Sequence, residues 1–393
     1  MITVNEALDH VLALAGPVPE EKIVLADGLD RVLARPVRAR LTHPPFNAAA
    51  MDGYALRHTD LNSNMDMEVI GEAAAGRPWQ GTVRPHTAVR IFTGAPVPEG
   101  YDHVVMQEHV TRSGNKIHVT EIQNHKNIRE QGIDFRSNST FDPKRPLTAR
   151  DLGLIAAMNV PELTVARQPR VVIIAGGDEL VPPGSDPGPG QIICSNDIAI
   201  AAIARKVGAR VECLPIAADT AESLNDRFSR AADADLIVTI GGASVGDHDL
   251  ISQITENLGM QRAFYKIAMR PGKPLIAGSI GSSAIIGLPG NPVSSIVCGE
   301  LFVRPLLQRM QGLPNEIRIR QGKLGRDIGP EGPRQHYHRA GIEIRGGTEV
   351  VTPLGDQDSA RLGLLTEADG LLIRPADDPP RKQGDTVEFI RFD

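Results

Sequence analysis

The stretch with the clearest chemical promise joins an apolar run, LIVTI at 236–240, to the turn GGASVGDHD at 241–249 and then to a segment with helical spacing. A buried strand would deliver a glycine turn to a helix N-terminus, where free amides and the helix dipole favour a phosphate or another anion. Gly242, Ser244 and Gly246 are the candidate ligands in that turn. Asp249 would repel an anion, but it suits a metal such as Mg²⁺ bridging phosphate oxygens to the protein. Simple capping of the helix by Asp247 and Asp249 explains the same acids without any ligand.

A second anion-suited segment, KIAMRPGKP at 266–274, sets Lys266, Arg270 and Lys273 at intervals of four and three. Pro271 and Pro274 flank Gly272 and Lys273, stiffening the backbone and excluding regular helix, so the cations are presented on a fixed loop. Arginine offers a planar fork to oxyanions and lysine a point charge, although solvated surface charge is the plainer account. The third segment is LPGNPVSS at 288–295, where a strand ends at Gly290 and Asn291 caps a helix starting at Pro292 and carrying Ser294. Three anion-friendly turns at the carboxyl ends of parallel strands argue jointly for a phosphate-type site. AMDGYA at 50–55 and TGAPVP at 93–98 add Asp52 and Thr93, which physical reasoning alone leaves as turn residues.

The elements that position these residues follow from periodicity. Residues 3–6 read TVNE, a capping box ahead of a short amphipathic helix. Short β-type runs separated by Gly, Pro and Asn fill 41–136, and 147–160 is helical in pattern. From residue 170 buried strands (171–175, 211–216, 236–240, 284–288) alternate with helices near 196–207, 248–258 and 293–311, the signature of a mostly parallel sheet covered on both faces. Pro305 should kink or break the last helix. The Pro/Gly-rich loop 182–190 follows a strand end and reads equally as a crevice border or a connector. Beyond 317 short strands return. The expected fold is thus α/β multidomain, with an N-terminal unit (1–40 and 137–168), an inserted β-rich domain (41–136), an α/β domain (169–317) and a C-terminal β-barrel domain (318–393).

With 393 residues, 41% hydrophobic and 23% charged, the chain is expected to be folded and multidomain. A net charge of −6 argues against nucleic acid as a partner, and the absence of a long apolar run or a signal-type start argues against a membrane and for the cytoplasm. Three cysteines without CxxC spacing suggest neither disulfides nor a structural zinc site.

PPFNAAAMDGYALR, RIFTGAPVPEGYDHVVMQE, NIREQGIDF, GGDEL, GGASVGDHDL, AMRPGKPL and LPGNPVSS occur in this order along the chain. In these seven motifs the sequence resembles the molybdopterin molybdenumtransferases, which include the E domains of plant and animal cofactor proteins. The resemblance implies a four-domain homodimer whose α/β domain looks like molybdopterin adenylyltransferase. It implies a transferase that inserts molybdenum from molybdate into adenylylated molybdopterin and releases AMP with Mg²⁺, or with Zn²⁺ or another divalent cation. It further implies contact with molybdopterin adenylyltransferase or apo-molybdoenzymes. By motif, Asp249 and Glu179 correspond to metal or phosphate-side acids, and Asp52, Thr93 and Asp134 to the inserted domain's contribution. Ser244, Arg270, Lys273, Pro274 and Ser294 correspond to pterin and phosphate contacts, Lys266 and Arg270 join Asp52, Asp134, Glu179 and Asp249 as the implied catalytic residues, and Arg339 and Ser359 correspond to the molybdate region. The chain departs from the family pattern at Asn47–Ala49, Ile133, Gly176 and Arg270. The competing readings are the adenylyltransferase itself and a non-catalytic cofactor scaffold.

Overall fold

The structure, a computed structural model, describes residues 1–61, 66–241, 250–314 and 318–392. Its α/β unit is a six-stranded sheet in the order Arg210–Cys213, Arg170–Ala175, Leu236–Ile240, Ser283–Leu288, Ile276–Ile280 and Gln261–Tyr265. The first four strands are parallel and the last two antiparallel, so the sheet is mostly parallel. Alternate residues serve opposite faces, as the two-residue strand period requires. Val171, Ile173, Val238 and Ile286 enter one core, while Val172, Ile174, Ile237 and Ile285 enter the other. That two-sided burial is why these runs are apolar throughout.

Helices Asn196–Lys206 and Pro292–Cys298 cover the first face, and Ala221–Arg230 and Leu250–Asn257 the second. The expected break at Pro305 is absorbed instead. The helix beginning at Pro292 widens to a π-turn over Gly299–Val303 and resumes as Arg304–Met310. A π-turn just ahead of proline moves aside the carbonyl that its ring would strike and removes the need for its missing N–H.

The N-terminal helix, Val4–Ala13, carries the capping box, with the Thr3 hydroxyl accepting from the Glu6 amide. The helix packs Val4, Ala7 and Val11 into the α/β core. Its apolar stripe finds the large cluster there, next to Phe264 and Ile267. The remaining N-terminal residues do meet the later segment: Glu20–Val24 pairs antiparallel with Glu162–Ala166, over a core containing Leu33, Val37, Leu147, Ile155 and Val165. Between them lies the inserted sheet, in the order His103–Met106, Gly53–Leu56, Thr87–Ile91, Asp66–Ala73, Lys116–Val119, Val110–Ser113.

The C-terminal strands close on themselves. Gln335–Arg345, Thr348–Pro353, Ile319–Leu324, Thr386–Arg391 and Gly370–Arg374 pair in succession, and the last pairs again with the first, giving a five-stranded barrel. Met269–Arg270 adds a short parallel strand to Gln335–Arg345, placing Arg270 opposite His336. The loop carrying Arg270 and Lys273 is therefore held between the α/β sheet and the barrel.

Candidate active site

Two cavities flank the carboxyl edge of the parallel sheet. The first, about 520 Å³, is lined by Gly176, Gly177, Glu179, Asp219, Gly241, Leu250 and Gln253 among others. Gly176 and Gly241 immediately follow adjacent strands, so the cavity sits where ligands bind in open α/β sheets. Gly241 adopts φ +88°, and a Cβ there would stand 2.9 Å from the Gly176 carbonyl oxygen, so glycine is required on both conformational and steric grounds. Gly177 also has positive φ, and the Glu179 carboxylate lies over it. Asp219 is locked to the same turn, its amide donating to Asp178 Oδ1 at 3.0 Å. Gly242, Ser244, Gly246 and Asp249 lie outside the described residues.

The second cavity, about 320 Å³, gathers Arg270, Lys273, Pro274 and Ser294 of the α/β unit with Arg334, Gln357, Asp358 and Ser359 of the C-terminal unit. The Val293 amide donates to the Ser359 carbonyl at 3.3 Å, which sets the two serines side by side in the chain path. Gly272 has φ +108°, and a Cβ on it would meet Cys298 Sγ at 2.5 Å, so the cation loop lies flat on the helix beneath. Three cations, two hydroxyls and an amide side chain, outnumbering the single carboxylate of Asp358, are suited to a compact oxyanion.

Arg339 is not presented to this cavity. Its guanidinium is buried and donates to the carbonyls of Asp356, Asp358 and Arg361 at 2.9 to 3.2 Å, with Gln357 Oε1 also accepting. It braces the 354–361 loop that carries Ser359. Lys266 sits beside the loop with its ammonium 4.7 Å from the Tyr265 ring centroid, and is not among the cavity's lining residues. Gly290 lies against Gly241 and accepts from the Asn196 side chain at 2.7 Å. Asn291 is the N-cap residue of its helix, but its side chain makes no capping bond; Pro292 at the first turn does the starting.

In the inserted domain Asp52 accepts from both the amide and the hydroxyl of Thr93, each at 2.8 Å. Those bonds hold its carboxyl below the usual carboxylate range, with Arg90 adding to the effect. Arg90 is itself fixed between the rings of Tyr54 and Phe92. Asp134 is exposed, and its amide donates to the His43 carbonyl. Neither cavity is lined by any residue of the inserted domain, so Asp52, Thr93 and Asp134 stand apart from the α/β site within one chain. Asn47, at a departure from the family pattern, ties its loop down by accepting from the Gln131 amide at 2.9 Å.

Asp219, Arg334 and Gln357 line these cavities without having been singled out in the sequence. Asp219 had a signal, its place beyond the carboxyl end of a parallel strand; Arg334 and Gln357 had none, because barrel closure brings them in.

Comparison with known proteins agrees with this architecture in all three parts. Residues 2–159 match the family described as MoeA N-terminal region (domain I and II), 172–309 the probable molybdopterin binding domain, and 321–392 the MoeA C-terminal region (domain IV). The chain is 34% identical over 362 residues to the molybdopterin molybdenumtransferase of Nostoc sp., covering 88% of this chain and 82% of that one. It is 36% identical to molybdopterin molybdenumtransferase 2 of Mycobacterium tuberculosis, covering 90% and 89%. A crystal structure of a molybdopterin biosynthesis MoeA protein from Pyrococcus horikosii superposes with a TM-score of 0.87 at 27% identity, covering 100% of this chain and 99% of that one. By fold, domain order and sequence, the chain belongs to the molybdopterin molybdenumtransferase family.

Proposed function

We propose that this protein is a cytoplasmic transferase that inserts molybdenum from molybdate into adenylylated molybdopterin, releasing AMP. The observation that carries the reading is the pairing of the two cavities. One is a glycine-lined crevice bearing carboxylates at the sheet edge, and the other is a cationic, hydroxyl-bearing pocket sized for an oxyanion. Molybdate, a tetrahedral dianion, suits Arg270, Lys273, Ser294 and Ser359. The adenylate's phosphates suit the glycine crevice, where close backbone approach is free.

A divalent cation fits the same crevice. Glu179 and Asp219 present hard oxygen donors there, and Mg²⁺ commonly takes one or two carboxylates and completes its shell with water and phosphate oxygens. Bound there, the ion would neutralise charge building on the phosphate oxygens. The family motif adds Asp249, which lies outside the described residues, as a further candidate ligand beside Glu179.

The inserted domain's Asp52, Thr93 and Asp134 enter the reading through a second copy of the chain. A homodimer in which each inserted domain reaches the partner's sheet edge would complete two sites, as a two-fold interface requires. The competing adenylyltransferase reading leaves the inserted domain and the barrel without a role. The test is AMP release from adenylylated molybdopterin by the purified protein, with molybdate and Mg²⁺ each supplied or withheld. Release that needs both is the expected result; release indifferent to molybdate would overturn the insertion reading.

A further inference from the structure

We infer that Glu331, His336 and His338 in the C-terminal barrel form a binding site for a transition-metal dication of the Zn²⁺ class, separate from the oxygen-lined crevice at the sheet edge. Among the described residues, these three are the one group of three His, Cys, Asp or Glu residues whose ligand atoms converge, all lying within 4.8 Å of one another. His336 Nδ1 is 3.0 Å from Glu331 Oε2, and His338 Nε2 is 2.5 Å from Glu331 Oε1. Ligands bound to a tetrahedral zinc at about 2.0–2.1 Å stand roughly 3.3 Å apart, so small rotations of these side chains would admit the ion.

The frame is already rigid. The histidines are two apart on strand Gln335–Arg345 and therefore share one face, with His336 opposite Arg374 and His338 opposite Leu372 in the neighbouring strand. Glu331 is pinned by its amide, which donates to the Asp378 carbonyl at 2.9 Å, and Gly332 accepts from the Asp377 amide. Arg374 Nη1 lies 3.8 Å from Glu331 Oε1, the oxygen that also faces His338, and Asp378 balances the charge of that arginine.

The donor set selects the metal. Two imidazoles and one carboxylate suit Zn²⁺, Co²⁺ or Ni²⁺, whereas Mg²⁺ demands oxygen ligands. Three protein ligands leave a fourth position for water, and the partial exposure of His338 and Glu331 provides the opening. Because His336 pairs with Arg270, an ion here would stiffen the strand on which the cation loop rests.

The test uses full-length protein stripped with chelator and titrated with Zn²⁺ by calorimetry and with Co²⁺ by absorption spectroscopy. One equivalent per chain is expected, with Co²⁺ bands of a four- or five-coordinate nitrogen and oxygen site, a higher Tm on Zn²⁺ addition and no competition from excess Mg²⁺. His338→Gln and Glu331→Gln should each weaken binding by about tenfold or more, while Cys213→Ser leaves it unchanged. Failure of the wild-type protein to take up Zn²⁺ would reduce the cluster to a hydrogen-bonded triad. Thiolate-to-cobalt charge-transfer bands, or binding unaltered in both Gln variants, would place the ion elsewhere and equally overturn the assignment.

Discussion

Arg339 shows how a charged side chain can serve a site without touching its ligand. Burial lowers its pKa, while Asp356 and Asp358 oppose that effect from the loop it supports. Replacing it removes the donor from the carbonyls of Asp356, Asp358 and Arg361, each lost hydrogen bond costing about 1 kcal/mol. We expect Arg339→Met to lose about 3 kcal/mol of stability by chemical denaturation and to raise the molybdate concentration needed for half-maximal AMP release. An unchanged molybdate dependence would show that Ser359 keeps its place without the brace. At this scale the sequence locates residues that short continuous motifs carry, Arg270 and Lys273 on one segment and Ser294 on another, and the structure sets all three on one cavity. The sequence was unreadable where a residue's role depends on partners far along the chain: Arg339 is named by its position, but that it points inward to Asp358 and Arg361 follows only from the closed barrel.

Among the elements, helix Ala149–Ala157 falls within 147–160, the segment that is helical in pattern, and its start is fixed locally. Thr148 and Asp151 form a capping box, and Arg145 grips the same carboxylate at 2.5 and 2.9 Å. The Arg145 bonds, then the Thr148 amide and hydroxyl, hold Asp151 far below the ordinary carboxylate range. A depressed carboxyl contributes its full stabilisation above its unfolded value of 3.8 and loses it progressively as pH falls from there through the lowered folded value. Asp151→Asn should therefore cost about 2 kcal/mol at neutral pH and flatten the acid limb of a Tm-against-pH profile. An acid limb identical to that of the wild type would assign acid sensitivity to other groups. The elements that sequence pattern did not supply are those whose pattern is overridden by packing. The π-turn at Gly299–Val303 has no periodic signature, and the antiparallel strands Ile276–Ile280 and Gln261–Tyr265 extend a sheet whose parallel members are far more apolar.

For the whole molecule, the separation of Asp52 from the α/β cavities within one chain makes a quantitative forecast. If each site draws Asp52 from one copy and Lys273 from the other, Asp52→Ala and Lys273→Ala proteins are each inactive alone. Mixed under conditions that exchange subunits, they should recover about a quarter of wild-type AMP release, since half the dimers are hybrids and each hybrid keeps one intact site. No recovery after proven exchange would place both residues in a site made by a single copy.

The path of the first helix sets a schedule for the living chain. Val4, Ala7 and Val11 rest against residues near Phe264 and Ile267, and Ile2 bridges to Ile267 itself. A ten-residue helix is barely stable alone, and its partners lie far along the chain, so at ~10 residues per second this segment waits roughly half a minute for them. Through that interval its apolar stripe is open to any nascent-chain chaperone, and a segment made before the α/β unit packs only once that unit is complete.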